Sequence, residues 1–398
     1  MTHRASSRTR AVRAGIASET QYGAVVPPLH LSSNFTFAGI GEPRAYDYTR
    51  SANPTRDQLG DAIAELEGGA GAVVTGSGMA AIHLVVQLLK PGDLLVAPHD
   101  CYGGSYRLFR SLADKNCFRV KFVDQTDNDA LAGAFLEKPA LVWVETPSNP
   151  LLRIVDIEAV SKLCRAGGAL LAVDNTFLSP ALQRPFALGA DIVVHSTTKY
   201  LNGHSDVVGG AAVAKTAALH ETLAFWGNCL GLTGAPFDSY LTLRGLRTLH
   251  ARLRLHTENT EAVVAALCGG QPAVREVFYP GLSDHPGHEI ARRQQSGFGG
   301  MVSFRIRGGI EEVKAFAGAL EHFSLAESLG GVESLVAHPA TMTHASLSPE
   351  AKARAGIDDS LVRLSVGIED TEDLVQDILR ALDRVEKVNG RAKISHAA

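Results

Sequence analysis

The sequence predicts an α/β protein: a mostly parallel central sheet with helices on both faces, then a smaller C-terminal α+β region. Three observations predict it. Short, unbroken apolar runs recur between residues 72 and 213. Helical patterns separate several of them. After about residue 258 the chain changes rhythm, with fewer strand-like runs and longer helical ones. Strands buried on both faces read as continuous apolar runs, whereas half-exposed strands alternate.

Residues 1–52 read as an irregular arm, with Pro27-Pro28 and the aromatic residues Phe35, Phe37, Tyr46 and Tyr48. Arg4, Arg8, Arg10 and Arg13 near its start give a basic bias like that of a transit peptide. The segment is short and has no apolar stretch, so a basic arm on a cytoplasmic protein is the expectation. A helix then begins cleanly: Asn53 suits an N-cap and Pro54 the first helical position. Leu59, Ile63 and Leu66 share one face, and Gly68-Gly69 stops the run.

Residues 72–74 read as a strand and 78–89 as a helix ended by Lys90-Pro91-Gly92. Buried strands follow at 94–97, 120–123, 141–144, 170–173, 192–194 and 210–213, with a helix at 157–165 among the connections. Farther on, strands are expected at 302–306 and 362–366, and helices at about 310–321 and 371–387. Leu374, Ile378, Leu379, Leu382 and Val385 make one stripe of the last helix, with Thr371 as its cap. Three regions result: the arm 1–52, an α/β domain 53–258 and an α+β domain 259–398.

Composition narrows the function. A net charge of -4 without a long Lys/Arg run disfavours a nucleic-acid partner. No apolar stretch of about 18 residues or more predicts a membrane span. The five cysteines are odd in number and widely spaced, with no C-x-x-C pair, which suits free thiols in a reducing compartment. No Cys/His cluster has zinc-ligand spacing, so no metal is expected.

In open α/β sheets ligands bind beyond the carboxyl ends of the strands, so the polar residues there carry the interest. Thr75-Gly76-Ser77-Gly78-Met79 is a glycine-rich turn entering a helix, a cradle for an anion. Taken singly it is equally a turn that needs glycine. Asp174 follows four apolar residues, where a carboxylate is costly unless it meets a cation; by itself it would be a cap or a salt-bridged acid. His195-Ser196-Thr197-Thr198-Lys199 sets three hydroxyls before a lysine at another strand end. Desolvation there frees the amine as a nucleophile. The plainer alternative is a buried stem with its head in water. Lys121 and Lys215 lack the hydroxyl-rich approach.

Together these parts are what pyridoxal 5'-phosphate requires: an amine for its aldehyde, a carboxylate for its ring nitrogen, and a turn and hydroxyls for its phosphate. Tyr102, in Asp100-Cys101-Tyr102-Gly103-Gly104, stands where it could stack on the ring or simply pack in the core. Arg363, inside the strand-like Val362-Arg363-Leu364-Ser365, suggests a buried anion. That anion could be a substrate carboxylate or an internal acid such as Glu369. Arg50 and Arg107 are further candidates.

The run Ser196-Thr197-Thr198-Lys199-Tyr200-Leu201-Asn202-Gly203-His204 resembles the lysine signature of the Cys/Met-metabolism pyridoxal-phosphate enzymes. So do Asp47-Tyr48-Thr49-Arg50, Asn53-Pro54-Thr55-Arg56, Glu145-Thr146-Pro147-Ser148-Asn149-Pro150, Val173-Asp174-Asn175-Thr176 and Ser328-Leu329-Gly330-Gly331-Val332-Glu333-Ser334. The resemblance runs from about residue 9 to 388 and implies the fold type I of PLP-dependent transferases. It implies Lys199 as the covalent attachment and proton shuttle, Asp174 on the ring nitrogen, and Tyr102 on the ring face. Gly78, Met79, Ser196 and Thr198 would hold the phosphate, joined by Tyr48 and Arg50 from a neighbouring subunit. Arg363, Ser328 and Asn149 would bind the substrate α-carboxylate, and Arg107, Glu327 and Asp47 the distal groups.

Residues 21–33, 97–109 and 237–249 are most similar to members that replace the acyl group of O-succinyl-L-homoserine by L-cysteine. Lyases and O-acylhomoserine sulfhydrylases share most of the site. The implied assembly is a homo-oligomer, a dimer of dimers, acting on small amino acids. A non-catalytic phosphate or nucleotide binder is the reading from another class. Against it, residues 75–79 lack the Walker pattern and no G-x-G-x-x-G follows the first strand.

Overall fold

The computed structural model describes residues 5–345 and 347–395, with side chains of the last helix to residue 388; Arg4 lies outside them. The large sheet has seven strands: β1 (Gly71–Thr75), β2 (Leu94–Pro98), β3 (Arg119–Val123), β4 (Leu141–Glu145), β5 (Leu170–Asp174), β6 (Ile192–His195) and β7 (Gly210–Ala214). Their order is β1-β7-β6-β5-β4-β2-β3. Only β7 runs against the others.

The apolar runs are unbroken because both faces are covered. Val142, Val144, Leu171, Val173 and Val193 enter one core, while Leu141, Trp143, Ala172, Ile192 and Val194 enter the other. The helices Pro54–Glu67 and Ile157–Gly167 pack on the first face, and Gly78–Val86 on the second. Asn53 caps the first of these helices by accepting from Thr55 and Arg56, and Gly68 ends it in the left-handed conformation at φ 89°.

A second sheet holds β8 (Val274–Phe278), β9 (Met301–Ile306), β10 (Phe323–Leu325), β11 (Ser334–Ala337) and β12 (Leu361–Ser365), in the order β10-β11-β12-β9-β8. The last helix, Thr371–Ser395, lays Leu374, Ile378, Leu382 and Val385 against it.

Five expectations need correction. The helix expected at about 310–321 ends at Ala317. The helix expected to reach residue 89 stops at Val86, because Gln87, Leu88 and Leu89 bond three residues back and tighten the last turn. Thr371 is the first helical residue; Asp370 caps the helix, its carboxylate accepting from Glu372 N–H and its carbonyl from Leu374 N–H. The arm is not irregular throughout: Ser7–Val12 is a helix capped by Ser6. It is tied down by Arg10 Nη1, which donates to Glu65 O at 2.6 Å, and by Arg247 Nε, which donates to Val12 O at 3.1 Å. Finally, the border expected at 258/259 falls inside the helix Leu249–Cys268, whose Leu249 and Leu253 enter the large core while Val263, Val264 and Leu267 enter the small one.

Candidate active site

The carboxyl ends of β1, β4, β5 and β6 lie along one edge of the large sheet and present Thr75, Glu145, Asp174 and His195. Beyond β6 the chain turns through Ser196 to Lys199. Lys199 Nζ donates to Ser328 Oγ at 2.9 Å. Burial, reinforced by the Arg363 charge and opposed by Glu327, pushes the lysine down to about 8. Arg363, on β12, donates through Nη1 to Asn149 Oδ1 at 2.9 Å and through Nη2 to Ser328 O at 2.8 Å. Its Nε is buried without a partner. The internal salt bridge weighed from sequence is not formed: Glu369 instead accepts from Ser334 N–H and Oγ. Lys199 and Arg363, 164 residues apart in the chain, thus meet on Ser328.

Asp174 Oδ1 accepts from Thr176 N–H at 2.9 Å, and Thr176 Oγ1 accepts from Ser196 N–H at 2.9 Å. Burial raises the Asp174 carboxyl, while Thr176 and the His195 charge work against that shift. Among the described residues no ion pair neutralises it, leaving it available to a ring N–H. Glu145, in register with Asp174 on β4, accepts from Tyr102 N–H at 2.7 Å and from Trp143 Nε1–H at 2.9 Å. Burial, and then the Asp174 charge, hold Glu145 above the usual carboxylate range. Sequence reasoning assigned Glu145 no role. Its signal was available, an acid closing four apolar residues just as Asp174 does.

The glycine-rich turn fits an anion. Ser77 caps the helix Gly78–Val86 by accepting from Ala80 N–H. A Cβ on Gly78 would stand 2.8 Å from Ser196 Cβ, so only glycine lets the turn and Ser196 approach this closely. A Cβ on Gly104 would stand 2.5 Å from Tyr102 Cε1 and 2.6 Å from Met79 Sδ, which brings the tyrosine ring and Met79 together beside the same turn. Thr198 differs from expectation in detail. Its hydroxyl donates to Gly209 O and accepts from Gly209 N–H, so a phosphate contact would require it to release Gly209 O. With that exception the donor set suits pyridoxal phosphate: a depressed amine, a half-buried carboxylate with no ion pair among the described residues, a helix N-terminus with hydroxyls, and an aromatic face.

The arm residues lie elsewhere. Arg50 Nη1 donates to Asn228 O at 3.0 Å and Oδ1 at 3.1 Å, and its guanidinium sits 5.7 Å from the Tyr48 ring centre. Asp47 and Tyr48 are exposed, and among the described residues no hydrogen bond or ion pair joins Asp47, Tyr48 or Arg50 to Lys199. Arg107 is exposed on the helix Gly103–Asp114. Glu327 is exposed beside Ser328, close enough for its charge to act on Lys199 and Arg363.

Comparison with known proteins adds to this geometry. The family model for Cys/Met metabolism PLP-dependent enzymes matches residues 8–383. A cystathionine gamma-synthase of Escherichia coli (strain K12) is 60% identical over 371 residues, 93% of this chain and 96% of that protein. A cystathionine gamma-lyase of Dictyostelium discoideum is 46% identical over 377 residues, 94% of this chain and 97% of that protein. The crystal structure of cystathionine gamma synthase from Xanthomonas oryzae pv. oryzae in complex with cystathionine superposes with a TM-score of 0.95 at 60% identity, covering 97% of this chain and all of that one.

Proposed function

Because the chain belongs to the Cys/Met metabolism PLP-dependent enzymes, we propose that it replaces the succinyl group of O-succinyl-L-homoserine with L-cysteine, yielding L-cystathionine and succinate. It is an enzyme acting on carbon–oxygen and carbon–sulfur bonds with pyridoxal 5'-phosphate as cofactor, and the reaction fits methionine biosynthesis by transsulfuration. The observation that carries the reading is the meeting of Lys199 and Arg363 on Ser328, an amine and a carboxylate-binding fork spaced around one amino-acid backbone. The 60% identity to a synthase of that reaction narrows it.

Arg363 takes the substrate α-carboxylate through the edge that Asn149 and Ser328 leave open, and so fixes the α carbon beside Lys199. When bound, the cofactor takes up the electrons released at that carbon. Lys199 Nζ, depressed to about 8, removes the α proton and then moves protons at the β carbon while succinate leaves the γ carbon and the cysteine thiolate adds there. Asp174 holds the ring nitrogen, and Tyr102 covers the ring face. Gly78, Met79 and Ser196 hold the phosphate, and Thr198 joins them only by releasing Gly209 O. Glu327, Arg107 and Asp47 serve the distal succinyl group and the incoming cysteine.

Tyr48 and Arg50 complete the phosphate pocket of a second copy. Supporting this, the arm exposes Tyr22, Val25, Leu31 and Ile40, and Arg50 bonds to Asn228. A shared site of this kind implies at least a dimer, and the dimer of dimers is what the family resemblance implies. Five free cysteines support a reducing, cytoplasmic setting.

The test is product analysis of the purified holoenzyme with succinyl- and acetyl-homoserine, each with and without cysteine. Cystathionine is expected from the succinyl ester, with slower release of 2-oxobutyrate and ammonia when cysteine is withheld. No cystathionine would overturn the assignment. The 46% identity to a cystathionine gamma-lyase favours that activity as the second reading, ahead of O-acylhomoserine sulfhydrylase. Faster turnover of cystathionine than of succinylhomoserine plus cysteine would establish it.

A further inference from the structure

Glu67 and His195 form a carboxylate–imidazole pair with no solvent contact: Nε2 and Oε1 are 2.7 Å apart and both side chains are 0% exposed. Glu67 ends the helix Pro54–Glu67 and His195 ends β6. The same oxygen, Glu67 Oε1, accepts from Asn175 Nδ2 at 2.8 Å, so one carboxyl oxygen meets both side chains. Asn175 Nδ2 also donates to Gln183 O at 2.9 Å, and Gln183 Nε2 donates to Asn175 Oδ1 at 3.1 Å and to Thr146 O at 3.0 Å. The assembly therefore ties together the residues just past β4 and β5 and the last residue of β6. Successive strand residues point to opposite faces, so it lies across the sheet from Glu145, Asp174 and Val194.

Stability does not explain such an arrangement. Glu67 Oε2 and His195 Nδ1 are buried without partners among the described residues. Buried charged pairs are often matched or bettered by apolar residues of similar volume. What the assembly does fix is position. Asn175 and His195 are held by one oxygen, and their immediate neighbours are the groups on the ligand side. Thr176 N–H donates to Asp174 Oδ1, and Ser196 N–H donates to Thr176 Oγ1. A displacement at Glu67 reaches Asp174 and Ser196 within two residues along either strand end.

We propose that Glu67 is a positioning residue for the cofactor, acting through Asn175 and His195 to keep Asp174 and Ser196 in register for the ring nitrogen and the phosphate. The proposal rests on Asp174 facing the ring nitrogen.

The experiment compares wild type, Glu67→Gln, Asp174→Asn and the double variant for pyridoxal phosphate dissociation by equilibrium dialysis, visible circular dichroism of the bound cofactor, and melting of the apoprotein. Glu67→Gln keeps the shape and one acceptor oxygen but removes the charge. Its holoenzyme is expected to bind cofactor roughly tenfold more weakly, with a reduced dichroic band. The apoprotein should melt within about 3 °C of wild type. Added to Asp174→Asn, the same change is expected to weaken binding by less than about threefold, since both act on one contact.

His195→Gln, which keeps a donor toward Glu67, should bind near the wild-type level, and His195→Leu should not. That pair decides the matter if Glu67→Gln does not fold. Unchanged affinity in Glu67→Gln or His195→Leu, or a full tenfold loss on top of Asp174→Asn, overturns the proposal while leaving the role of Asp174 standing. Wild-type affinity in Asp174→Asn removes the reading of Asp174 and this proposal with it.

Discussion

Arg363 Nη1 donates to Asn149 Oδ1 at 2.9 Å, and the guanidinium, 2% exposed, meets no carboxylate among the described residues. A buried cation without an anion is unfavourable unless a ligand supplies one. Replacing Arg363 by Lys keeps the charge and loses the planar fork. The kcat/KM for O-succinylhomoserine is expected to fall roughly 30- to 300-fold, mainly through KM. Steady-state kinetics check this, and an unchanged KM would count against the carboxylate role. Arg363→Met should be less active still, yet its apoprotein should melt no lower than wild type.

Lys199 is depressed by burial and by Arg363, so the folded protein releases this proton near pH 8 and the unfolded chain near its ordinary 10.5. Between those values the unfolded state binds more protons, and this site's contribution to stability rises with pH. The stability advantage of Lys199→Met over wild-type apoprotein should therefore be greatest below pH 8 and shrink toward pH 10.5. Paired melts across that window test the sign. The same variant should yield no cystathionine, and its bound cofactor should not be fixed to the chain by borohydride.

Glu145 is shifted the other way for an acid, upward, by burial and by Asp174. Its folded form keeps a proton that the unfolded chain loses, so its stabilising share declines as pH rises above the ordinary value of 4.5. Glu145→Gln has no such proton to lose and should flatten that decline. Glu145→Ala strands Tyr102 N–H and Trp143 Nε1–H and should cost about 1–3 kcal/mol for each in apoprotein melts.

Gly78→Ala would place a methyl 2.8 Å from Ser196 Cβ. Forced overlap of this kind costs about 1–3 kcal/mol and here acts at the anion turn. Cofactor retention on gel filtration should fall clearly, and the apoprotein should melt a few degrees lower.

If Tyr48 and Arg50 serve a second copy's site, an inactive Arg50→Ala chain mixed with an inactive Lys199→Ala chain should regain activity. Random re-pairing gives hybrid dimers with one intact site, and roughly a quarter of wild-type activity is expected. No recovery after verified subunit exchange would place both residues in their own chain's site.

Much of the site was legible because strand ends are legible. Four apolar residues before Asp174, and three followed by His195 and hydroxyls before Lys199, mark positions where the pleat delivers a side chain to the sheet edge; both residues were singled out that way. The same pattern pointed to Glu145, which went unassigned because a lone carboxylate has no partner in sequence; only the β4–β5 register sets it beside Asp174. Thr198 shows the converse: its type suits phosphate, but its hydroxyl already holds Gly209. The cap of the last helix moved from Thr371 to Asp370 because Thr371 Oγ1 donates to Asn259 Oδ1, a partner 112 residues away.

Local chemistry determined the elements. Apolar period, proline, glycine and capping residues act within a few positions, so strands, the helix starting at Pro54 and the lysine signature could be read without coordinates. Tertiary structure alone decided which elements share a space. It brought Arg363 and Lys199 to the two sides of Ser328, let one helix feed both cores, and placed Glu67 beneath the ends of β5 and β6. Except for Arg363 on Ser328, 35 positions apart, those hydrogen bonds join residues more than a hundred positions apart, and chain closure over such distances is set by the packing of whole layers, which no short stretch of sequence encodes.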